Sequence, residues 1–306
     1  MEICQDTIPG VYKLNPVEVS LGEVNDLARD VSKAVASCDP RVKLNQIGIQ
    51  TSLTRELFAS SEGTAIDRTY ALTQGLCLVI AVGNSGVQQM HYDCLGHQRG
   101  WEILTDGFDE DLMQSKPLTA FALDLASDCI SLSEAKPCPS SGKEVVVVTD
   151  PHYNTLLVHE IIGHPTELDR ALKLETAYAG RSWFFRNLKE NMLGQRVASP
   201  LVSAYSDPLL PGYGHYEYDD EGTPVKRVMH IDKGIFCGFM NSRQTAAIIG
   251  ASPNGHFKAI GASFVPLIRM STTAFGNGER DPKDIIGEVD HGYYLAGHRI
   301  PSISES

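Results

Sequence analysis

Leu76-Cys77-Leu78-Val79-Ile80-Ala81-Val82 is the longest apolar run in the chain. Seven residues are far too few to span a bilayer, which takes about 20 in a helix. Closed by the turn signal Asn84-Ser85-Gly86, the run reads as a buried central strand. From Val42 to Cys94 the hydrophobic period tends toward two, with further punctuation at Ser60 to Gly63, so this segment predicts an antiparallel meander. Upstream, Ser20 and Glu23 have capping-box spacing, and Leu21, Val24, Leu27, Ala28, Val31, Ala34 and Val35 recur at helical intervals until Asp39-Pro40. Downstream, Leu118, Phe121, Ala122, Leu125, Ala126 and Cys129 share the face of a second helix. Helices on one face of an antiparallel sheet predict an α+β domain over residues 1–136.

Lys136-Pro137-Cys138-Pro139-Ser140-Ser141-Gly142 is a linker by composition, placed at 137–142. Beyond it, residues 143–306 predict a mixed, mainly antiparallel, β-rich domain. Its expected elements begin with a short buried strand at Val145 to Val148 and a loop at Asp150 to Asn154. A helix then runs from Thr155 to Ile162, with Asn154 as N-cap. A polar, partly helical region continues to about Gly194. Short strands then alternate with turns at Asp219-Asp220-Glu221-Gly222 and Asp232-Lys233-Gly234, and a short helix covers Gln244 to Ile249. The stretch 301–306 offers no closing element.

Of 306 residues, 42% are hydrophobic, so the apolar content offsets chain entropy and excludes general disorder. Lys and Arg number 26 against 38 Asp and Glu, a formal net charge of −12. That balance argues against nucleic acid or anionic membrane as a partner. It also requires an anionic substrate to be captured at a locally positive point, such as a metal ion. The seven cysteines are scattered, and no two have CxxC spacing. They are expected to be reduced, mostly buried thiols of a cytoplasmic protein. The N-terminus lacks a basic region leading into an apolar stretch, so no signal peptide is expected.

One constellation carries chemistry: His159-Glu160-x-x-x-His164. It is not the zincin pattern, in which histidines at i and i+4 share a helix face. An i, i+5 pair on a regular helix lies about 140° apart, too far round to hold one ion. Two routes could bring the rings together. A π-type turn with i→i+5 bonds restores a shared azimuth. Alternatively, the helix stops at Gly163 and His164 swings in from non-helical backbone, which Pro165 favours. Glu160 would then stand beside an activated water as general base. The plain alternative is two unrelated histidines on one helix. Against it, Glu160 lies in an otherwise apolar stretch, where a carboxylate needs a partner or a function.

His159-Glu160-Ile161-Ile162-Gly163-His164-Pro165-Thr166-Glu167-Leu168-Asp169 resembles the metal-binding segment of the TldD/PmbA metallopeptidase family, historically called modulator of DNA gyrase. Asp219 to Pro224, Ile231 to Ile235, Gly238 to Met240, Arg269-Met270 and Asp281 to Ile286 extend the resemblance over about residues 145 to 298. It points to the TldD-like branch, since the PmbA-like branch lacks the histidines. The resemblance implies a zinc (Zn2+) peptidase acting on small or unstructured polypeptides inside an enclosed chamber. It also implies a homodimer, or a heterodimer with a PmbA-like subunit. His159 and His164 match the metal ligands, and Glu160 matches the catalytic base. The family's third ligand is a cysteine in a later segment, and none of the seven cysteines here sits at a matching position. The chain is therefore expected to lack the family's C-terminal part. The rival expectation is a catalytically inactive binding or assembly subunit. A DNA-associated role finds no support in the charge balance.

Other residues weigh less. Cys237 reads as a buried core thiol sooner than a replacement ligand. His215 and His230 are placed on strands as structural histidines. Tyr213, Tyr216 and Tyr218 alternate as one face of a strand. Gly276 to Gly278 is a turn, and Asp219 to Glu221 is a hairpin turn sooner than a cation site.

Overall fold

A computed structural model describes residues 3–110, 113–139, 142–175 and 181–297. Parts of the expected linker (140–141), of the polar region (176–180) and the stretch 301–306 lie outside the described residues. The chain divides into two compact units, one made of residues 4–140 with 211–213, the other of the remainder.

The first unit is built on one long strand. Strands β2 (Val42–Ala59) and β3 (Ala65–Val82) form an antiparallel hairpin along their whole length. On the other side of β3, β4 (Gln88–His97) pairs antiparallel with its C-terminal half. Beside its N-terminal half lies β1 (Gln5–Ile8), which runs parallel and is the exception to the expected antiparallel meander. The apolar run is thus the end of a central strand 18 residues long. Helix α1 (Leu21–Cys38) opens on the predicted capping box: Ser20 Oγ accepts from Glu23 N at 3.2 Å, and Glu23 Oε2 accepts from Ser20 N at 2.9 Å. Helix α2 (Leu118–Glu134) buries Leu118, Ala122, Leu125, Ala126 and Cys129. The core gathers Val31 and Val35 of α1, these α2 residues, and Cys77, Val79 and Ala81 of β3. Side chains alternate along a strand, so only this face of β3 is fully buried. Leu76, Leu78, Ile80 and Val82 point to the opposite face and stay partly exposed, which corrects the expectation of a strand buried throughout.

The second unit holds a four-stranded antiparallel sheet. Strand β6 (Ala204–Ser206) and β7 (Val228–Asp232) lie at its centre, flanked by β8 (Ile235–Phe236) and β9 (Thr273–Phe275). The β7–β8 turn is the predicted one, with Lys233 at φ 46° and Gly234 at φ 83°, the mirror-image geometry that suits a two-residue hairpin. Packed with this sheet are helix α3 (Pro151–Val158) and the residues following it, through Val158, Ile162 and Leu168 against Ile231, Phe236, Phe239 and Met240. Helix α4 (Arg243–Ile249) opens at Ser242 and closes on left-handed Gly250. Strand β5 (Val146–Thr149) pairs in parallel with β10 (Gly292–Leu295). Because this is a two-stranded sheet, Val146 and Val147 are about half exposed, not buried as expected.

Several expectations change. Tyr213, Tyr216 and Tyr218 do not form a strand face, since Pro208, Pro211, Gly212 and Gly214 break the segment into turns. Tyr216 is buried, Tyr213 belongs to the first unit, and Tyr218 forms an isolated bridge with Pro224. His215 lies outside any strand, its Nε2 2.9 Å from Glu217 Oε1, whereas His230 is on β7 and wholly buried. Among the described residues no disulfide joins the seven cysteines, but only Cys77 and Cys129 are buried. Cys237 follows β8, and the alternation that turns Phe236 inward turns Cys237 out to solvent. The Asp219 turn is as expected: Asp219 Oδ1 accepts from Glu221 N and Thr223 N at 3.0 and 2.9 Å.

Candidate metal centre

The centre begins with a helix that starts earlier than its sequence suggested. Asp150, not Asn154, is the N-cap of α3, its Oδ1 accepting from Tyr153 N at 2.6 Å, with Pro151 at the first helical position. Asn154 Oδ1 instead accepts from Thr149 Oγ1 at 2.8 Å. After Val158 the chain makes one π turn, His159–Gly163, closed by a bond from His164 N to His159 O. A 3₁₀ turn, His164–Thr166, follows directly. His164 is helical, at φ −58° and ψ −46°, even though Pro165 disfavours that conformation. Of the two routes for uniting the histidines, this is the π turn. Gly163 accordingly is not a left-handed stop; it sits inside the turn at φ −56°.

What Gly163 supplies is space. A Cβ there would lie 1.9 Å from Met270 Sδ and 3.0 Å from its Cγ. We expect Gly163→Ala to push Met270 aside or open the π turn, costing about 1–3 kcal/mol as overpacking does. Thermal denaturation checks this, and Met270→Ala in the same chain should recover part of the loss.

An irregular helix leaves carbonyls to be satisfied from outside it. Trp183 Nε1 donates to Ile161 O at 2.9 Å, and Thr166 Oγ1 to Gly163 O at 2.8 Å. Ser182 Oγ donates to Pro165 O, and Met240 N to Thr166 O at 2.9 Å. Trp183, Ser182, Thr166 and Met240 therefore hold the turn, and sequence reasoning assigned none of them a role.

The π turn brings His159, Glu160 and His164 together. One ligand atom from each lies within 4.8 Å of the others, and among the described residues this is the one group of three such side chains that could hold a metal ion. The imidazole centroids are 4.6 Å apart at 85°, and Glu160 Oε1 stands 3.8 Å from His159 Nε2. Desolvation, reinforced by His164, holds the His159 imidazole below its usual range, against a weaker upward pull from Glu160 and Glu167. At neutral pH it is therefore uncharged and keeps a lone pair, as a metal ligand must. Two imidazoles with a carboxylate beside them suit zinc.

Behind His164 lies Glu167, fully buried, whose Oε2 is 3.3 Å from His164 Nδ1. Arg170, also buried, donates to the same oxygen from Nε at 2.9 Å and from Nη2. Arg269 Nη1 reaches it at 3.5 Å. Its neighbour Asp169 accepts from Ile268 N at 2.9 Å. Glu167 went unassigned because its approach to His164 depends on helical backbone continuing across Pro165.

Residues 141–303 match the family described as PmbA/TldA metallopeptidase C-terminal domain. A metalloprotease of Methanothermobacter thermautotrophicus is 28% identical over 287 residues, covering 93% of this chain and 57% of that protein. A zinc metalloprotease TldD homolog of Saccharolobus solfataricus is 25% identical over 275 residues, covering 89% and 56%. This chain thus spans little more than half the length of those relatives. Two solved structures share the fold. A candidate modulator of a DNA gyrase from Thermotoga maritima has a TM-score of 0.72 at 18% identity, covering 94% of this chain and 59% of that one. TldE from Thermococcus kodakarensis has a TM-score of 0.66 at 20% identity, covering 95% and 61%. Since the family match spans more than half of the residues and begins just ahead of the strand that leads into the His159–His164 turn, this protein belongs to the PmbA/TldD metallopeptidase family.

Proposed function

We propose that the chain carries the metal-binding portion of a TldD-type zinc peptidase, in the domain assigned to residues 143–306. The observation that supports this best is the convergence of His159, Glu160 and His164 ligand atoms within 4.8 Å. His159 and His164 would hold the ion. Bound there, zinc supplies Lewis acidity, polarising a scissile carbonyl and acidifying water. Glu160 takes a proton from the attacking water and passes it to the leaving amine. The substrate is an unstructured peptide, and the working assembly pairs this chain with a PmbA-like subunit or a second copy, in the cytoplasm. Among the described residues, no helix is long and apolar enough to cross a membrane.

A second reading, a non-catalytic assembly subunit, draws on the same cluster. Catalytic zinc usually has three protein ligands and an open position. The cluster offers two imidazoles with Glu160 as base, or three ligands with no base. Metal content separates the readings. Purified without chelator, wild type should carry about one zinc per chain, and His159→Ala or His164→Ala should carry none. If wild type neither contains zinc nor takes it up from an equimolar solution, the peptidase reading is overturned and the assembly reading stands.

A further inference from the structure

We propose that Glu167 is a positioning residue for this centre: its buried carboxylate holds His164 as the Nδ1–H tautomer and so leaves Nε2 open toward His159 and Glu160. The proposal rests on the reading of His164 as a metal ligand.

The 3₁₀ turn explains how Glu167 gets there. Side chains at i and i+3 eclipse in such a turn, so Glu167, three residues past His164, comes to lie against its ring. Oε2 then stands 3.3 Å from Nδ1. Keeping a carboxylate at this depth is costly. Glu167 is 0% and Arg170 1% exposed, and Glu167 Oε1 and Arg170 Nη1 have no hydrogen-bond partner among the described residues. A buried ion pair of this kind is often no better for stability than a well-packed apolar pair of similar volume. Stability alone is therefore a poor reason for the pair. Orienting a metal ligand is a better one, because a histidine that binds metal through one nitrogen needs an acceptor for the proton on the other.

Arg170 makes the assignment testable. Its Nη2 is also 3.3 Å from His164 Nδ1, and a hydrogen bond donated there would force the proton onto Nε2 and close it to metal. Nη2 lies nearer to Glu167 Oε2 than to Nδ1, so the carboxylate engages one of its two hydrogens; the other competes with the carboxylate for Nδ1, and under the proposal the carboxylate prevails there as acceptor. The two tautomers exclude each other.

The experiment uses the 306-residue chain, labelled with ¹⁵N at histidine. In metal-free protein, long-range ¹H–¹⁵N correlation reads the His164 tautomer, with the signal assigned by its loss in His164→Ala. We expect Nδ1–H in wild type. Glu167→Gln should weaken zinc binding about 10- to 100-fold, the usual effect of losing such a support. A second variant, Glu167→Leu with Arg170→Met, removes both charges and should show the same weakening together with mixed tautomers. An Nε2–H tautomer in wild type overturns the proposal. So does wild-type zinc affinity in Glu167→Gln or in the double variant. If His164→Ala leaves zinc affinity unchanged, it is the ligand reading that fails, and the tautomer, measured without metal, still decides the role of Glu167.

Discussion

Lowering the pH from 7 to 4 is expected to unfold the second unit cooperatively, with the loss of stability beginning near about pH 6.5, above the range in which ordinary carboxylates titrate. Two histidines buried as neutral rings cause this. His230 is fully buried on β7, with Nε2 2.8 Å from Ser206 Oγ and Nδ1 3.1 Å from Gly238 O. Those partners suit an uncharged imidazole, donating from Nδ1 and accepting at Nε2. Burial pushes His230 down to about 4. His256, with Nδ1 3.0 Å from Asn254 O, is pushed down to about 3 by burial and then by His230. Both values fall below those of the unfolded chain, so between roughly pH 6.5 and 4 the unfolded state binds more protons. The stability these rings contribute is complete above the unfolded value and drains away as pH falls below it. At about 1.4 kcal/mol per unit, His230 alone accounts for about 3 kcal/mol. By pH 4 the two rings together represent about 6 kcal/mol, comparable with the whole stability of many domains. Asp219 works the other way. Burial raises its carboxyl to about 6 and raises those of Asp169 and Glu221 as well, so proton uptake at these groups favours the folded state as pH falls and offsets part of the loss. Near-UV circular dichroism against pH checks the outcome. A signal unchanged down to pH 4 would show that these rings do not control stability.

How much could be read in advance depended on how local each cause was. The α1 capping box lies within four residues, and its hydrogen bonds are those its spacing implied. The meander was legible for the same reason, since turns at Ser60 to Gly63 and Asn84 to Gly86 set the strand ends. The start of α3 was misjudged between two residues with equal capping chemistry, Asp150 and Asn154; Pro151, fit for a first helical position, is the signal that separates them. The path from His159 to His164 was legible only as a pair of alternatives. Two residues that fit the π turn are Trp183, which takes up the Ile161 carbonyl, and Met270, which packs where a Cβ at position 163 would lie. Both are distant in sequence, so no local pattern contains them. Strand β5 failed on exposure for a related reason: a run of valines reports a strand, but not how many layers cover it.

On the peptidase reading proposed above, Glu160→Gln is expected to keep zinc while slowing hydrolysis of an unstructured peptide by at least about 10²-fold, the scale on which a general base contributes. Glutamine has the size and shape of glutamate but cannot carry the proton. Glu160 Oε1 is 3.8 Å from His159 Nε2, too far for a hydrogen bond, so the carboxylate is not held by its neighbour and is free to meet a water. It is also partly open to solvent, with 27% of its side chain exposed. A group that acts only as a proton relay should lower kcat and leave KM nearly unchanged. A group that ligates the ion should, when replaced, lose metal and activity together. Zinc content and turnover measured on the same preparation therefore distinguish base from ligand. Retained zinc with a normal rate would remove Glu160 from the mechanism. Lost zinc would make it the third ligand and leave the cluster without a base, which is the state expected of an assembly subunit.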